Sequence, residues 1–405
     1  MLPRFLRGWR FFRFQSPKTH SSAFHRLRKM LRTEEVHLLV IRPDRLGDVI
    51  LSTPVLEVIK QKYPKIKLTI LVKEGVAPIL RGLAPVDDVL IFAPEGRHAG
   101  FHGFWQLVSD LKVRDFRFSI ALQSNWKIAA ATYFAGVSRR VGPLSKMHSY
   151  LFYNLGIRQR RSQVEMHEAD YNLQLLKRIG ILPRSRSIPT QVHVSETELG
   201  RAQQWLQEQG WRPEGRPTII IHPGMGGSAL NWPDTSYHDL ARSLVQEGFQ
   251  VLVTGGSHEV GLLDEMEKET VPRLEKAPGK LIFFRNTEGR PIDFLAGLFK
   301  HAHLVVVPST GPLHLAVALG IPVLTFFPPI RVQSAIRWGP YLLDESRASV
   351  LVPEVYCGQD FKCLGSACHY YPCMKSLTVN QAIEQVRLQL QQNAPHPSKS
   401  GPKSG

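Results

Sequence analysis

Apolar runs alternate with amphipathic segments twice along this chain, and that double alternation leaves few folds open to it. In the first stretch, "VHLLVI" (36–41), "KLTILV" (67–72), "DDVLIF" (87–92) and "FSIALQ" (118–123) read as strands, and helical segments separate most of them. A helical segment, "HEADYNLQLLKRIG" (167–180), closes that stretch. "ILPRSRSIPTQVHV" follows, with two prolines and little periodicity. The second stretch opens with a helix, "ETELGRAQQWLQEQG" (196–210). Strands follow at "PTIIIHPG" (217–224), "FQVLVTGG" (249–256), "KLIFFRN" (280–286), "HLVVVPS" (303–309) and "PVLTFFP" (322–328), before a last helix, "NQAIEQVRLQLQQ" (380–392). Strand and helix in alternation is the pattern of parallel α/β folds. The expectation is α/β: two tandem Rossmann-like domains, 34–183 and 196–392, joined by a linker at 184–195. In such folds ligands sit beyond the carboxyl ends of the strands, so two domains place the site in the cleft between their sheets.

The flanks differ in composition from the body. Residues 1–33 hold nine Lys or Arg and no acid, about half of the net charge of +17. Phe5, Trp9 and Phe12 fall on one helical face, and Arg4, Arg7, Arg10 and Arg13 recur every third residue. This reads as a basic amphipathic leader lying on an anionic membrane surface, with a disordered basic leader as the alternative. Residues 393–405, "NAPHPSKSGPKSG" with Asn393 at its head, read as a disordered tail. Residues 112–161 carry ten Lys or Arg against the single acid Asp115. The sequence has no zinc-finger spacing, RNP-like stretch or helix-turn-helix signature, so nucleic acid is not the expected partner. A phosphorylated or acidic partner accounts for the charge. No apolar run approaches the roughly 18 residues that span a bilayer. Four cysteines without a signal peptide point to a reducing cytoplasm.

Three strand-to-helix loops carry candidate chemistry. In "VVVPSTGPLHLAVALG", Ser309 and Thr310 offer N-cap hydroxyls, Gly311 permits close approach and Pro312 suits a first turn. Such a helix start presents free backbone N–H groups to an anion, and His314 adds a possible donor. The same residues also fit a well-capped buried helix with His314 satisfied in the core. In "IIIHPGMGGSALNWP", Gly224, Gly226, Gly227 and Ser228 precede a helix beginning near Pro233. This loop can wrap phosphate oxygens, but matches neither the P-loop nor the dinucleotide fingerprint, and an ordinary connection is as good a reading. In "RPDRLGDVILSTPVLEVIK", Asp48 falls at or just before a helix, where N-capping is its bland role and general base its chemical one. Asp44, between Arg42 and Arg45, reads as a salt-bridge partner, and those arginines otherwise suit phosphate recognition.

Taken together, "IRPDRLGDVILSTPVLEVIKQKYP", "AGVSRRVG", "IIIHPGMGGSALNWP", "VLVTGG", "STGPLHLAVALGIP" and the terminal "CHYYPCM" occur in the order seen in the bacterial lipopolysaccharide heptosyltransferase family, which the chain resembles over about residues 36–390. The resemblance implies a GT-B fold and an inverting, metal-independent transfer from a nucleotide-diphosphate sugar, usually ADP-heptose, with no cofactor. It implies a lipid-anchored saccharide acceptor in the N-terminal domain and the donor in the C-terminal one. It also implies a cytoplasmic enzyme, peripheral on the inner face of the inner membrane. By motif position Asp48 matches the proposed general base. Thr310, Gly311 and His314, with Ser309 beside them, match the diphosphate-binding helix start, and Gly226, Gly227 and Ser228 the second phosphate-side loop. Arg42, Arg45, Arg139 and Arg140 are the acceptor-binding candidates. Two positions depart from the family pattern: Ser309 stands where Asp is frequent, and Leu230 stands where Lys or Arg often precedes "WP". Arg285, Arg331 and Arg337 are the candidate replacements for that cation. A different nucleotide-sugar transferase or epimerase, or a non-catalytic binding paralogue, is the alternative function.

Cys357, Cys363, Cys368 and Cys373 are separated by five, four and four residues, unlike the paired spacing of common zinc sites. Free thiols or a conditional disulfide are expected there, with structural zinc the lesser alternative.

Overall fold

The computed structural model describes residues 30–32, 35–213, 216–227 and 229–393. The leader expected at 1–33, apart from 30–32, and the tail beyond Asn393 lie outside the described residues, as does Ser228.

The first half is a sheet of six parallel strands: β1 (His37–Ile41), β2 (Lys67–Val72), β3 (Asp88–Ile91), β4 (Phe118–Ala121), β5 (Arg139–Pro143) and β6 (Leu155–Ile157). Its spatial order is β3-β2-β1-β4-β5-β6. The second half repeats the plan with β7 (Thr218–Ile221), β8 (Gln250–Gly255), β9 (Lys280–Arg285), β10 (Leu304–Pro308), β11 (Val323–Phe326) and β12 (Ala348–Leu351). Its order is β12-β11-β10-β7-β8-β9. In each sheet the direction of winding reverses between the first strand and the fourth, and that crevice is where a doubly wound fold binds ligand. The crevices lie beside β1/β4 and β7/β10.

Burial explains why the central strands are continuous apolar runs. Leu38 and Val40 of β1 pack into one core and Leu39 and Ile41 into another, on the opposite face of the sheet. All four are buried, each worth about 1.5–3 kcal/mol of transfer free energy. A strand covered on both sides has no polar face, so it loses period-two alternation. The strands absent from the sequence reading are β5, β6 and β12. They lie toward or at sheet edges, and two of them are charged at the start or short ("RRVGP", "LGI"), which is how edges are kept from pairing further.

The helices used below are α1 (Leu46–Ile50), α2 (Thr53–Lys62), α3 (Gly100–Lys112), α4 (Trp126–Phe134), α5 (Met147–Phe152), α6 (Glu168–Gln174), α7 (Glu196–Glu208), α8 (Asp234–Gln246), α9 (Val260–Thr270), α10 (Ile292–Phe299), α11 (Gly311–Ala318), α12 (Ala335–Trp338) and α13 (Val379–Gln392). The segment read as one helix after Asp48 is two. Pro54 has no N–H to give the carbonyl of Ile50, and Thr53 Oγ1 supplies that bond instead at 2.8 Å. Between α6 and α7 the chain has no strand, only a short helical turn and local turns, and the Gln191 and His193 amides donate back to Thr53 Oγ1 and the Ile79 carbonyl.

The halves are joined by buried polar contacts as well as by this connection. Tyr341 donates to Asp170 Oδ1 at 2.8 Å and accepts from the Arg186 amide at 2.8 Å. His167 Nε2 donates to the Gly339 carbonyl at 2.9 Å. The segment carrying α12 therefore folds from the second half onto α6 of the first.

Candidate functional site

The carboxyl ends of β1 and β4 face those of β7 and β10 across a cleft of about 890 Å³. The opening loop, the glycine loop and the start of α11 all reach it. Asp44, Arg45, Gly47 and Asp48 form one wall; Ser309, Thr310, Gly311 and His314 form the facing one, with Gly226 nearby.

Arg42 organises the first wall. It is buried, 2% exposed, and its guanidinium lies among three carboxylates. Nη2 donates to Asp48 Oδ1 at 2.5 Å and to Glu168 Oε1 at 3.2 Å, and Nη1 donates to the Leu122 carbonyl at 3.1 Å and Asn172 Oδ1 at 3.3 Å. Nε lies 2.9 Å from Asp44 Oδ2 as an ion pair without hydrogen-bond alignment. Arg42 therefore positions both acids of the loop and is not available to an acceptor, which corrects its assignment to acceptor binding. The two acids are also less different than their sequence positions suggest, because Asp48 shares Asp44's arginine. Asp48 is the third residue of α1 rather than its N-cap; Arg45 holds the cap position. Of the two carboxyls Asp48 is the more open, 23% against 14%. Burial pushes the Asp44 carboxyl up to about 6 against the pull of Arg42, and the Asp48 and Glu168 charges add to the rise.

Glu168, at the first position of α6, was absent from the sequence reading as a site residue. Its side chain is 1% exposed and takes three arginines. Arg42 and Arg161 meet Oε1, and Arg337 donates to Oε2 from Nε at 3.1 Å and Nη2 at 3.0 Å. Burial acts to raise the Glu168 carboxyl, but Arg161, Arg42 and Arg337 outweigh it and hold the group below the ordinary carboxylate range. The pattern in "HEADYNLQLL", an acid flanked by apolar helical positions, is the one signal that could have marked it.

Arg337 supplies a cation to the cleft lining from α12. Leu230 faces away: its side chain packs against the second core, while its amide donates to Gln333 Oε1 at 3.2 Å. Of the other candidate replacements, Arg285 is paired with Asp264 and Glu267, and Arg331 lies 3.7 Å from Asp360; neither lines the cleft. Arg139 and Arg140 open β5, at the end of the sheet away from the cleft. Arg140 donates to the Phe152 carbonyl at 2.6 Å and to that of Val137, and stacks over Tyr133. These two arginines, offered above as acceptor-binding candidates, do not line the cleft. Arg45 does line it.

The facing wall depends on close contact. Thr310 is the N-cap of α11 by backbone, but its hydroxyl makes no capping bond, contrary to expectation. A Cβ on Gly311 would stand 3.0 Å from Leu46 Cβ, and one on Gly47 would stand 2.6 Å from His314 Cδ2. Gly47 is thus an interface glycine inside α1, not a turn residue, and α1 and α11 meet directly across the cleft. Burial, with a smaller push from His167, lowers His314 to about 3, so the imidazole is neutral near pH 7. Its Nδ1 is buried without a partner among the described residues. In the glycine loop the reasons separate: Gly224 abuts the Glu259 carboxylate, Gly226 has open space above it, and Gly227 has φ +72°.

The four cysteines are free and line one small cavity beside Leu230. Burial, with the three neighbouring sulfurs, raises the Cys373 thiol. Among the described residues no group of three or more His, Cys, Asp or Glu is arranged to hold a metal.

Two doubly wound parallel sheets with facing carboxyl ends and a ligand-sized cleft between them define the GT-B class of glycosyltransferase fold. The profile of glycosyltransferase family 9 (heptosyltransferase) matches residues 104–369. A putative glycosyltransferase of Haemophilus influenzae is 30% identical over 75% of this chain and 85% of its own length. Lipopolysaccharide heptosyltransferase 2 of Escherichia coli is 26% identical over 72% and 82%. The crystal structure of a family 9 glycosyl transferase from Veillonella parvula superposes with a TM-score of 0.76 at 19% identity, covering 89% of this chain and 99% of that one. Escherichia coli ADP-heptose lps heptosyltransferase II superposes at 0.71 with 20% identity, over 89% and 100%. The chain belongs to glycosyltransferase family 9, the heptosyltransferases, and is a glycosyltransferase.

Proposed function

We propose that this enzyme moves a heptose, or a related sugar, from a nucleotide-diphosphate donor, with ADP-heptose the first choice, to the inner core of lipopolysaccharide. The observation that carries the reading is the meeting of Asp48 and the Ser309–His314 helix start in one cleft. The second half holds the donor. Its diphosphate lies against the amides opening α11, with neutral His314 offering one N–H and Arg337 a cation. The first half holds the acceptor, and Arg45 faces its anionic groups. The acceptor hydroxyl attacks the anomeric carbon opposite the diphosphate. The new C–O bond forms as the bond to the phosphate oxygen breaks, the stereocentre inverts, and the proton passes to Asp48. Arg42 engages Asp48 Oδ1, which leaves Oδ2 to take that proton. The step needs no metal in this reading, because the helix start and Arg337 meet the departing charge. A lipid-anchored acceptor places the enzyme on the inner face of the inner membrane.

A second assignment of the base has its own support: Asp44 lines the same cleft, and burial raises its carboxyl's affinity for a proton. The two are separated by incubating the protein and its variants with ADP-heptose, UDP-sugars and heptose-deficient core acceptor. Asp48→Asn should lose about 10²-fold or more in turnover with donor binding retained. Near-normal turnover in Asp48→Asn with loss in Asp44→Asn transfers the role to Asp44. Product with a UDP-sugar alone replaces the donor, and nucleotide binding without turnover marks a binding paralogue.

A further inference from the structure

Helices α3, α4 and α5 cover one face of the first sheet. Their inner sides are ordinary: Leu107 and Leu111 of α3 and Ile128 and Ala131 of α4 pack on Leu39, Ile41 and Ala121. Their outer sides are not. Phe101 is 73% exposed, and rings run from it through Trp105 and Phe134 to Tyr133, with successive centroids 6.3, 5.6 and 5.4 Å apart. On α5 beside them, Met147, Tyr150 and Leu151 are exposed in turn. A solvent-facing helix surface normally carries polar residues at these positions. A continuous apolar surface of this kind marks an interaction site.

Charge indicates what the surface meets. Met147 and Tyr150 are also on the rim of a second opening, about 890 Å³, lined by the exposed cations Lys146, Arg158 and Arg160. These three have no acidic partner among the described residues. Gln123, just past the end of β4, borders both this opening and the cleft. A second copy of the chain would bring the same positive rim, and the same net charge of +17, against this one. An anionic bilayer complements it. Aromatic side chains favour the headgroup level, and cations beside them add attraction to acidic lipid.

We propose that the outer face of α3–α5 is a membrane-docking surface. It seats in the headgroup region of an anionic bilayer and turns the cationic opening toward the lipid surface, from which Gln123 leads into the cleft. The docking rests on side chains distinct from the basic N-terminal leader, and it deepens the reading of the acceptor as lipid-anchored.

The test is co-sedimentation of the full-length protein with vesicles of phosphatidylethanolamine and phosphatidylglycerol. The variant Phe101→Ser/Trp105→Ser/Leu151→Ser is measured alone and combined with Arg4, Arg7, Arg10 and Arg13→Gln, so that the leader cannot mask it. Partition should fall by about tenfold or more in both backgrounds, because three exposed apolar side chains lose their burial in lipid. Turnover on a delipidated soluble core acceptor should be unchanged. Unaltered partition in both backgrounds overturns the proposal. So does loss of self-association in the triple variant with vesicle binding intact, which assigns the face to a second copy. Absence of turnover in the parent protein, with binding still dependent on this face, overturns the assigned reaction and leaves the docking surface standing.

Discussion

At the scale of single residues the site is an ionic cluster first and a set of catalytic groups second. Glu168 is the counter-charge for Arg161 and Arg337 and shares Arg42 with Asp44 and Asp48, so its loss leaves three clustered arginines with only two carboxylates, both on Arg42. Glu168→Gln should therefore cost about 3–5 kcal/mol, read as a lowered urea midpoint. An unchanged midpoint would show that the arginines rearrange freely. His314 makes the opposite kind of statement, about pH. Its folded-state affinity for protons is depressed to about 3, against an ordinary value near 6.5. The stability tied to the neutral ring is complete above pH about 6.5 and is lost as pH falls toward 3, because the unfolded chain binds the proton first. His314→Gln should flatten the thermal midpoint over that range relative to the parent. A parallel acid profile in both proteins would remove His314 from the cause.

At the scale of elements, the decisive feature is the approach of α1 to α11. It requires glycine at 47, where any Cβ meets His314, and close to it at 311, where a Cβ meets Leu46. Gly47→Ala should push the helices apart and cost about 1–3 kcal/mol, with kcat/KM falling together with the thermal midpoint. Gly226→Ala is the contrast. A methyl there would meet nothing within 4 Å among the described residues, so the midpoint should hold while donor affinity reports whether the loop touches phosphate. Equal effects at the two positions would contradict the account of α1 and α11 as a contact.

Across the whole molecule, the second half holds the first through α12 and the segment after it. Tyr341 bridges Asp170 and the Arg186 amide, while Arg337 from the same segment reaches Glu168. The segment that fixes the two sheets relative to one another thus also delivers a cation to the cleft. Tyr341→Phe should cost about 1 kcal/mol and speed amide hydrogen exchange around 334–342. If exchange there stays at the parent rate, the junction is held by apolar packing alone.

Sequence by itself determined the fold class, because strands buried on both faces must be continuous apolar runs, and runs such as "VHLLVI" and "HLVVVPS" cannot be hidden. It also brought forward the loops that reach the cleft, since a strand feeding a helix start is a local pattern. Short edge strands such as β6 carry too few residues to show any pattern. The sequence left the burial of Arg42, the role of Glu168 and the arrival of Arg337 to the tertiary structure, as it did the distance of Arg139 and Arg140 from the cleft. Each is a contact between residues far apart in the chain, or a matter of which end of a strand a side chain occupies. Charge and spacing register neither; only the packing of the two sheets decides them.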